Sequence, residues 1–220
     1  MDNFGRRDLL LKGLGSLAVF SGAKSLASPQ CVVTTPQGEG PYYPENDLER
    51  DSDLIQLKPG LPQAKGQVIE VRGVVSDRLC RPIDGALVEI WQACESGKYN
   101  HSEDPNNLTL DPNFQYWGRA RTNAMGEYTF RTIVPGHYPV SPERSRPPHI
   151  HFKAHATGHQ SLTTQMYFDP NSYDDAQLRK IVARLNKLEN VDSRLTVLFS
   201  KTATNPNVKS GNFDIVLKLN

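Results

Sequence analysis

The chain is poor in cysteine, tryptophan and methionine, with three, two and three of them in 220 residues, and it carries no excess of either charge. The cysteines, Cys31, Cys80 and Cys94, are too few for a disulfide scaffold, and none stands at C-x-x-C spacing, so a thiolate metal site is not expected. An odd count leaves at least one without an intramolecular partner, and the sequence does not say which two pair. The formal net charge of +1 provides no basic face for nucleic acid or an anionic membrane surface. The longest apolar run, Leu9 to Phe20, is broken by Lys12 and two glycines and is too short to span a bilayer comfortably. There is no internal repeat and no low-complexity tract. The length fits one domain with a core of its own.

What is present begins with a targeting segment. Arg6-Arg7 precede the run through Leu9, Leu10, Leu11, Leu14, Leu17, Ala18, Val19 and Phe20, and Ser25-Leu26-Ala27 supplies small residues for cleavage. Residues 1–27 therefore read as a signal peptide, and the arginine pair before Asp8-Leu9-Leu10 resembles the twin-arginine type, which exports proteins already folded. The expected location is periplasmic, with no membrane attachment after cleavage. Cleavage after Ala27 leaves 21 basic against 22 acidic residues, so the mature protein is close to neutral.

Residues 28–64 are rich in proline, glycine and polar residues, and Gly38-Glu39-Gly40-Pro41-Tyr42-Tyr43-Pro44 has neither helix nor strand period; this predicts an extended arm laid over the domain. From residue 65 to 220 the pattern changes. Short alternating segments appear around Ile69, Val71 and Val75, from Ala86 to Trp91 and from Tyr128 to Ile133, each bounded by Gly, Pro, Asp or Asn. Many short strands with turn signals between them predict an all-β, antiparallel, prealbumin-like sandwich. One peripheral helix is expected over Asp174 to Asn190, where Leu178, Ile181, Val182, Leu185 and Leu188 recur at helical spacing, and Phe213 to Leu217 reads as a final strand.

The segment Arg146-Pro147-Pro148-His149-Ile150-His151-Phe152 carries the chemistry. Alternation in a strand sends His149 and His151 to the same face. Two such imidazoles either cap a sheet surface or form half of a coordination sphere for a first-row metal. The turns and strands around them, such as Asn123-Ala124-Met125-Gly126, are architecture that a carbohydrate-binding sandwich would share.

Together with Tyr99, Tyr138, Trp91-Gln92, Arg146-Pro147 and Thr164-Gln165-Met166-Tyr167-Phe168, the two histidines resemble the intradiol ring-cleavage dioxygenases, the catechol and protocatechuate family. The resemblance runs from about Gly38 to Phe168, weakens toward the C-terminus, and is nearest to the iron-bearing subunit of the protocatechuate 3,4-dioxygenase branch. It implies an Fe(III) cofactor held by Tyr99, Tyr138, His149 and His151, with Tyr99 and His149 equatorial and Tyr138 and His151 axial. Two phenolates and two neutral imidazoles form a hard, electron-rich set, which suits Fe(III). The resemblance further implies catalytic roles for Tyr138, Arg146 and Gln165, and a substrate pocket lined by Tyr42, Tyr43, Val140 and Arg146 beneath the arm. Val140 stands where the protocatechuate enzymes often place Trp, and Cys94 stands where their Trp-Gln-Ala-Asn run has Asn, so the ring substituent is open. The expected function is cleavage of protocatechuate, catechol or a substituted catechol by O2 to a cis,cis-muconate, in a homo- or hetero-oligomer. The alternative is a periplasmic carbohydrate- or ligand-binding sandwich without turnover.

Overall fold

The computed structural model describes residues 30–45, 51–141, 143–202 and 205–220. The signal segment 1–27 lies outside the described residues. In chain order the strands are β1 (Val68–Asp77), β2 (Leu87–Trp91), β3 (Trp117–Arg121), β4 (Glu127–Ile133), β5 (Tyr138–Ser141), β6 (Arg144–Arg146), β7 (His149–His155) and β8 (Leu162–Phe168). Helix α1 (Ala176–Leu188) follows, then β9 (Thr196–Val197), β10 (Ser200–Lys201), β11 (Lys209–Asn212) and β12 (Ile215–Leu217). No helix among the described residues is long and apolar enough to cross a membrane.

The strands form two five-stranded sheets and one separate hairpin. In the first sheet β1 pairs antiparallel with β4 on one side and, on the other, parallel with β11 and then β12, and β10 adds antiparallel to β11. The second runs β3-β2-β7-β8-β9 and is antiparallel except for the short β8–β9 pair. The hairpin is β5–β6. Among the described residues the fold is thus the expected β-sandwich with one α-helix, and the parallel pairings arise because the strands after the long excursion through α1 return beside β8 and β1.

Alternation decides the core. Ile69, Val71 and Val75 of β1 and Phe130 of β4 meet Val88, Ile90, Ile150, Phe152 and Met166 of the opposing sheet, and all nine are fully buried. Burying a side chain of this size contributes about 1.5–3 kcal/mol. Gly73 lets β1 pass the chain beyond β11, because a Cβ there would lie 2.1 Å from the Phe213 carbonyl oxygen. The Tyr128 hydroxyl donates to that same oxygen.

Residues 30–45 have no regular structure. They are anchored at the start by a Cys31–Cys80 disulfide, which leaves Cys94 as the buried free thiol. Residues 51–64 are more than a covering: Leu54 and Ile55 are fully buried and belong to the core. Helix α1 starts at Asp175, whose carboxylate accepts from the Gln177 and Leu178 amides, and ends at Glu189, followed by Asn190 with φ 51°. A left-handed residue just beyond the last turn is a common helix stop that Asn tolerates. Val182 and Leu185 face inward, and the Asn186 amide donates to the Phe168 carbonyl at the end of β8.

Candidate metal centre

The inner face of β7 is spent on the core, so its other face is free to carry His149, His151, Lys153 and His155. Strand register brings their neighbours into place. On β8, Tyr167 lies opposite His149 and Gln165 opposite His151; on β2, Trp91 also lies opposite His151. In the hairpin Tyr138 lies directly opposite Arg146. Tyr99 comes from the loop after β2, where its amide donates to Asp104 Oδ2 at 2.8 Å. Lys98 Nζ ties the same loop by donating to the Asp104 and Asn106 carbonyls.

Four rings therefore converge. The centroid separations are 5.4 Å for Tyr99–Tyr138, 5.7 Å for Tyr138–His149, 4.7 Å for His149–His151 and 6.2 Å for Tyr99–His151. All four residues are buried. The two Nε2 atoms of the histidines approach to 3.1 Å. His149 Nδ1 lies 2.8 Å from the Pro147 carbonyl, which only accepts, so the proton sits on Nδ1 and Nε2 keeps its lone pair. Trp91 stacks on His151 at 4.7 Å with an interplanar angle of 11°.

The electrostatics keep these imidazoles neutral. Burial, with the Arg146 charge beside it, pushes His149 down to about 3. Burial, His149 and Arg146 hold His151 well below the ordinary imidazole value. The phenols move the other way: burial raises Tyr99 well above 10, with Tyr138 adding to it, and burial raises Tyr138 despite the opposing pull of Arg146. Without a cation the two phenols keep their protons; a multivalent cation would compensate their ionisation.

The arrangement fits a metal by a second criterion. The Tyr99 hydroxyl, which faces the other three rings, is buried without a hydrogen-bond partner. Such atoms are costly unless something is held there. Among the described residues no three of His, Cys, Asp and Glu converge, and the side-chain oxygens that join the two imidazoles here are those of Tyr99 and Tyr138. The donor set of two imidazole nitrogens and two phenol oxygens suits Fe(III).

Arg146 borders the four rings. Its Nη2 donates to Gln165 Oε1 at 2.9 Å and to the Tyr167 hydroxyl at 3.0 Å, and Nη1 lies 3.4 Å from His149 Nε2. Gln165 Nε2 donates to the Gly38 carbonyl at 2.7 Å, which joins this network to the arm. Lys153 does the same at the rim through Glu39, 2.7 Å away, and lies over the Tyr43 ring. Gly40 has φ 74°, and its would-be Cβ points at His151 Cε1, so the arm passes close over the site. Tyr42 packs on Tyr99 at 4.7 Å and on Tyr138 at 6.1 Å, while Tyr43 meets Trp91 edge-on at 5.0 Å.

Of the residues expected at the site, Tyr42, Tyr43, Tyr99, Tyr138, Arg146, His149, His151 and Gln165 come together. Val140 sits at the irregular point of the β5–β6 hairpin and is exposed, outside the aromatic cluster. His101 lies behind Tyr42, with Nε2 3.1 Å from the Tyr43 carbonyl oxygen. Sequence reasoning gave no role to Trp91 or Tyr167; the alternation that places Gln165 on one face places Tyr167 there too, and Trp91 ends an alternating strand. A cavity of about 660 Å³ between α1 and the hairpin, touching Val134, Pro139, Pro148, Leu178 and Val182, is lined by none of the four convergent rings.

An all-β sandwich with a two-histidine, two-tyrosine cluster on the outer face of one sheet defines the class of fold and site. The chain belongs to the intradiol ring-cleavage dioxygenase family: a family model described as Dioxygenase matches residues 38–218. It is 44% identical over 134 residues to a protocatechuate 3,4-dioxygenase beta chain of Burkholderia cepacia, covering 58% of this chain and 56% of that one. To catechol 1,2-dioxygenase 2 of Acinetobacter lwoffii it is 35% identical over 148 residues, 61% of this chain and 51% of the other. It thus spans little more than half the length of these relatives. Among solved structures, the dioxygenase domain of a dioxygenase and carbohydrate-binding protein fusion from Streptomyces sp. SirexAA-E superposes with a TM-score of 0.60 at 31% identity, covering 86% of this chain and all of that one. These relatives do not favour a sandwich without turnover.

Proposed function

We propose that the chain cleaves a catechol-type ring between its two oxygen-bearing carbons, with Fe(III) as cofactor and O2 as co-substrate. The observation that carries the reading is the convergence of Tyr99, Tyr138, His149 and His151, with the buried Tyr99 hydroxyl satisfied by nothing in the protein. Protocatechuate, catechol and substituted catechols are the substrate candidates.

A ferric ion held by these four side chains would bind both oxygens of a catecholate and make the ring reactive toward O2. The remaining work falls to the protein. Tyr138 Oη accepts a proton from an incoming catechol hydroxyl, a role supported by the facing Arg146, whose charge favours the phenolate against burial. Arg146 is cationic at all working pH and stabilises negative charge developing on the opening ring. Gln165 holds Nη2 of Arg146 in place. Tyr42 and Tyr43 line the approach from the arm side and exclude water from it. One ring carbon–carbon bond breaks, both oxygen atoms of O2 enter the product, and the product is a cis,cis-muconate.

The test is oxygen uptake by iron-loaded protein against a panel of catechols, beside an iron assay. About one ferric ion per chain and ring cleavage of at least one catechol are expected; a colourless, iron-free protein with full activity contradicts the reading. The beta-chain name of the first relative supports association with a second chain, which measurement of mass in solution checks. Export through the twin-arginine route belongs to the same proposal and rests on Arg6-Arg7. Replacing both with Lys should strand the precursor in the cytoplasm, and normal export of that variant points to another route.

A further inference from the structure

Glu189 stands at an unfavourable place for a carboxylate. It is the last residue of α1's cap, where the helix presents the negative end of its dipole. Its gain is non-local. Oε1 accepts from Arg146 Nε at 3.1 Å and Oε2 from Arg144 Nη2 at 2.9 Å. Both the Arg146 and Glu189 side chains are mostly shielded, at 16% and 18% exposure, whereas Arg144 is open to solvent at 64%.

The position of this carboxylate is fixed from behind. The Glu189 amide donates to the Leu185 carbonyl, Val191 N–H closes on Asn186 O at 3.0 Å, and the Asn186 side chain is bonded to the end of β8. Helix end and strand end therefore move together. A guanidinium is planar, so gripping its Nε edge settles where its Nη edge points. Here that edge meets Gln165, Tyr167 and His149.

Resting on the function proposed above, we infer that Glu189 is a positioning residue for the reaction: it acts through Arg146, holding the guanidinium so that its Nη groups face the four-ring site. Nothing in this role requires Glu189 to touch substrate or metal. Removing the grip leaves Arg146 charged but held only at its Nη edge by Gln165 and Tyr167, so the guanidinium can tilt out of place, and small misplacements of a catalytic group cost rate steeply.

Steady-state kinetics of iron-loaded Glu189→Ala should show kcat lowered about tenfold or more, with KM within about twofold and iron content unchanged. Glu189→Gln, which keeps an acceptor for Nε, should recover most of the loss and covers the case in which the alanine variant folds poorly. In an Arg146→Ala background, Glu189→Ala should cost no more than about a further twofold, since residues acting through one another are non-additive. The crystal structure of metal-free Glu189→Ala gives a readout that needs no turnover: Arg146 Nη2 should leave Gln165 Oε1. An unmoved guanidinium, or losses that multiply in the double variant, overturns the inference. If the wild type cleaves no catechol, the proposed function fails while the metal-free structure still decides the role of Glu189.

Discussion

The two faces of strand β7 were built under opposite rules. On the inner face Ile150, Phe152 and Ala154 are buried among carbon atoms and carry no polar side-chain atom to satisfy. On the outer face His149 and His151 are just as buried, but they pack against a separate cluster that holds Trp91, Tyr99, Trp117 and Tyr138. That outer cluster leaves Trp91 Nε1, Tyr99 Oη, Trp117 Nε1 and His151 Nδ1 without partners. One face lowers the free energy of the fold by removing apolar area from water; the other holds polar groups dry and underused, a state of higher energy kept ready for something else. The rigid face makes the costly one possible, since both hang on one strand.

Substitutions on the two faces should separate cleanly. The largest effect is expected from His151→Ala, which removes a proposed ligand and should lower oxygen uptake on the order of 10⁴-fold or more, with iron lost. Retention of iron and rate by that variant would break the contrast. Phe152→Ala, one residue away on the inner face, should instead cost about 3–5 kcal/mol in denaturant unfolding. Iron per folded chain should stay near the wild-type value.

Acidification sharpens the comparison without a mutation. His149, pushed down to about 3 by burial and Arg146, stays neutral in the fold while an unfolded imidazole takes up its proton near 6.5. Between these values the unfolded state binds the proton that the native state refuses. The stabilising contribution is complete above about 6.5 and is lost as pH falls toward 3, on the order of a few kcal/mol. Denaturation of metal-free protein across that range should show the loss, and His149→Asn should reduce it, leaving the part that belongs to His151, which burial also holds well below the ordinary imidazole value. A smaller effect is expected from Arg146→Ala, which should lower kcat by about 10²-fold, more than it raises KM, and leave iron in place. Loss of iron from this variant would make Arg146 a structural residue instead.

Much of the outer face was legible from local pattern. The His-x-His spacing fixed a shared face, alternation marked the strands, and the leucine spacing located α1, which the structure trims to Ala176–Leu188 because Asp175 caps it and Asn190 stops it. Pairing across long distances was not legible. Nothing near Glu189 reveals that it meets Arg146, 43 residues away, and nothing near Gln165 reveals that its amide holds the arm at Gly38, 127 residues away. The Cys31–Cys80 pairing is of the same kind, and so is the burial of Leu54 and Ile55, which lie in a segment whose composition reads as a covering arm. Such contacts depend on register and on how the sheets stack, which alternation leaves open.

The central claim is that the outer face of β7 joins Tyr99 and Tyr138 to hold Fe(III). The most direct measurement is the visible absorption spectrum of the iron-loaded protein beside Tyr99→Phe and Tyr138→Phe, at matched iron content. The account predicts a broad tyrosinate-to-iron band in the wild type that changes in each single variant. A spectrum without that band, or one left unchanged by both substitutions, would contradict it.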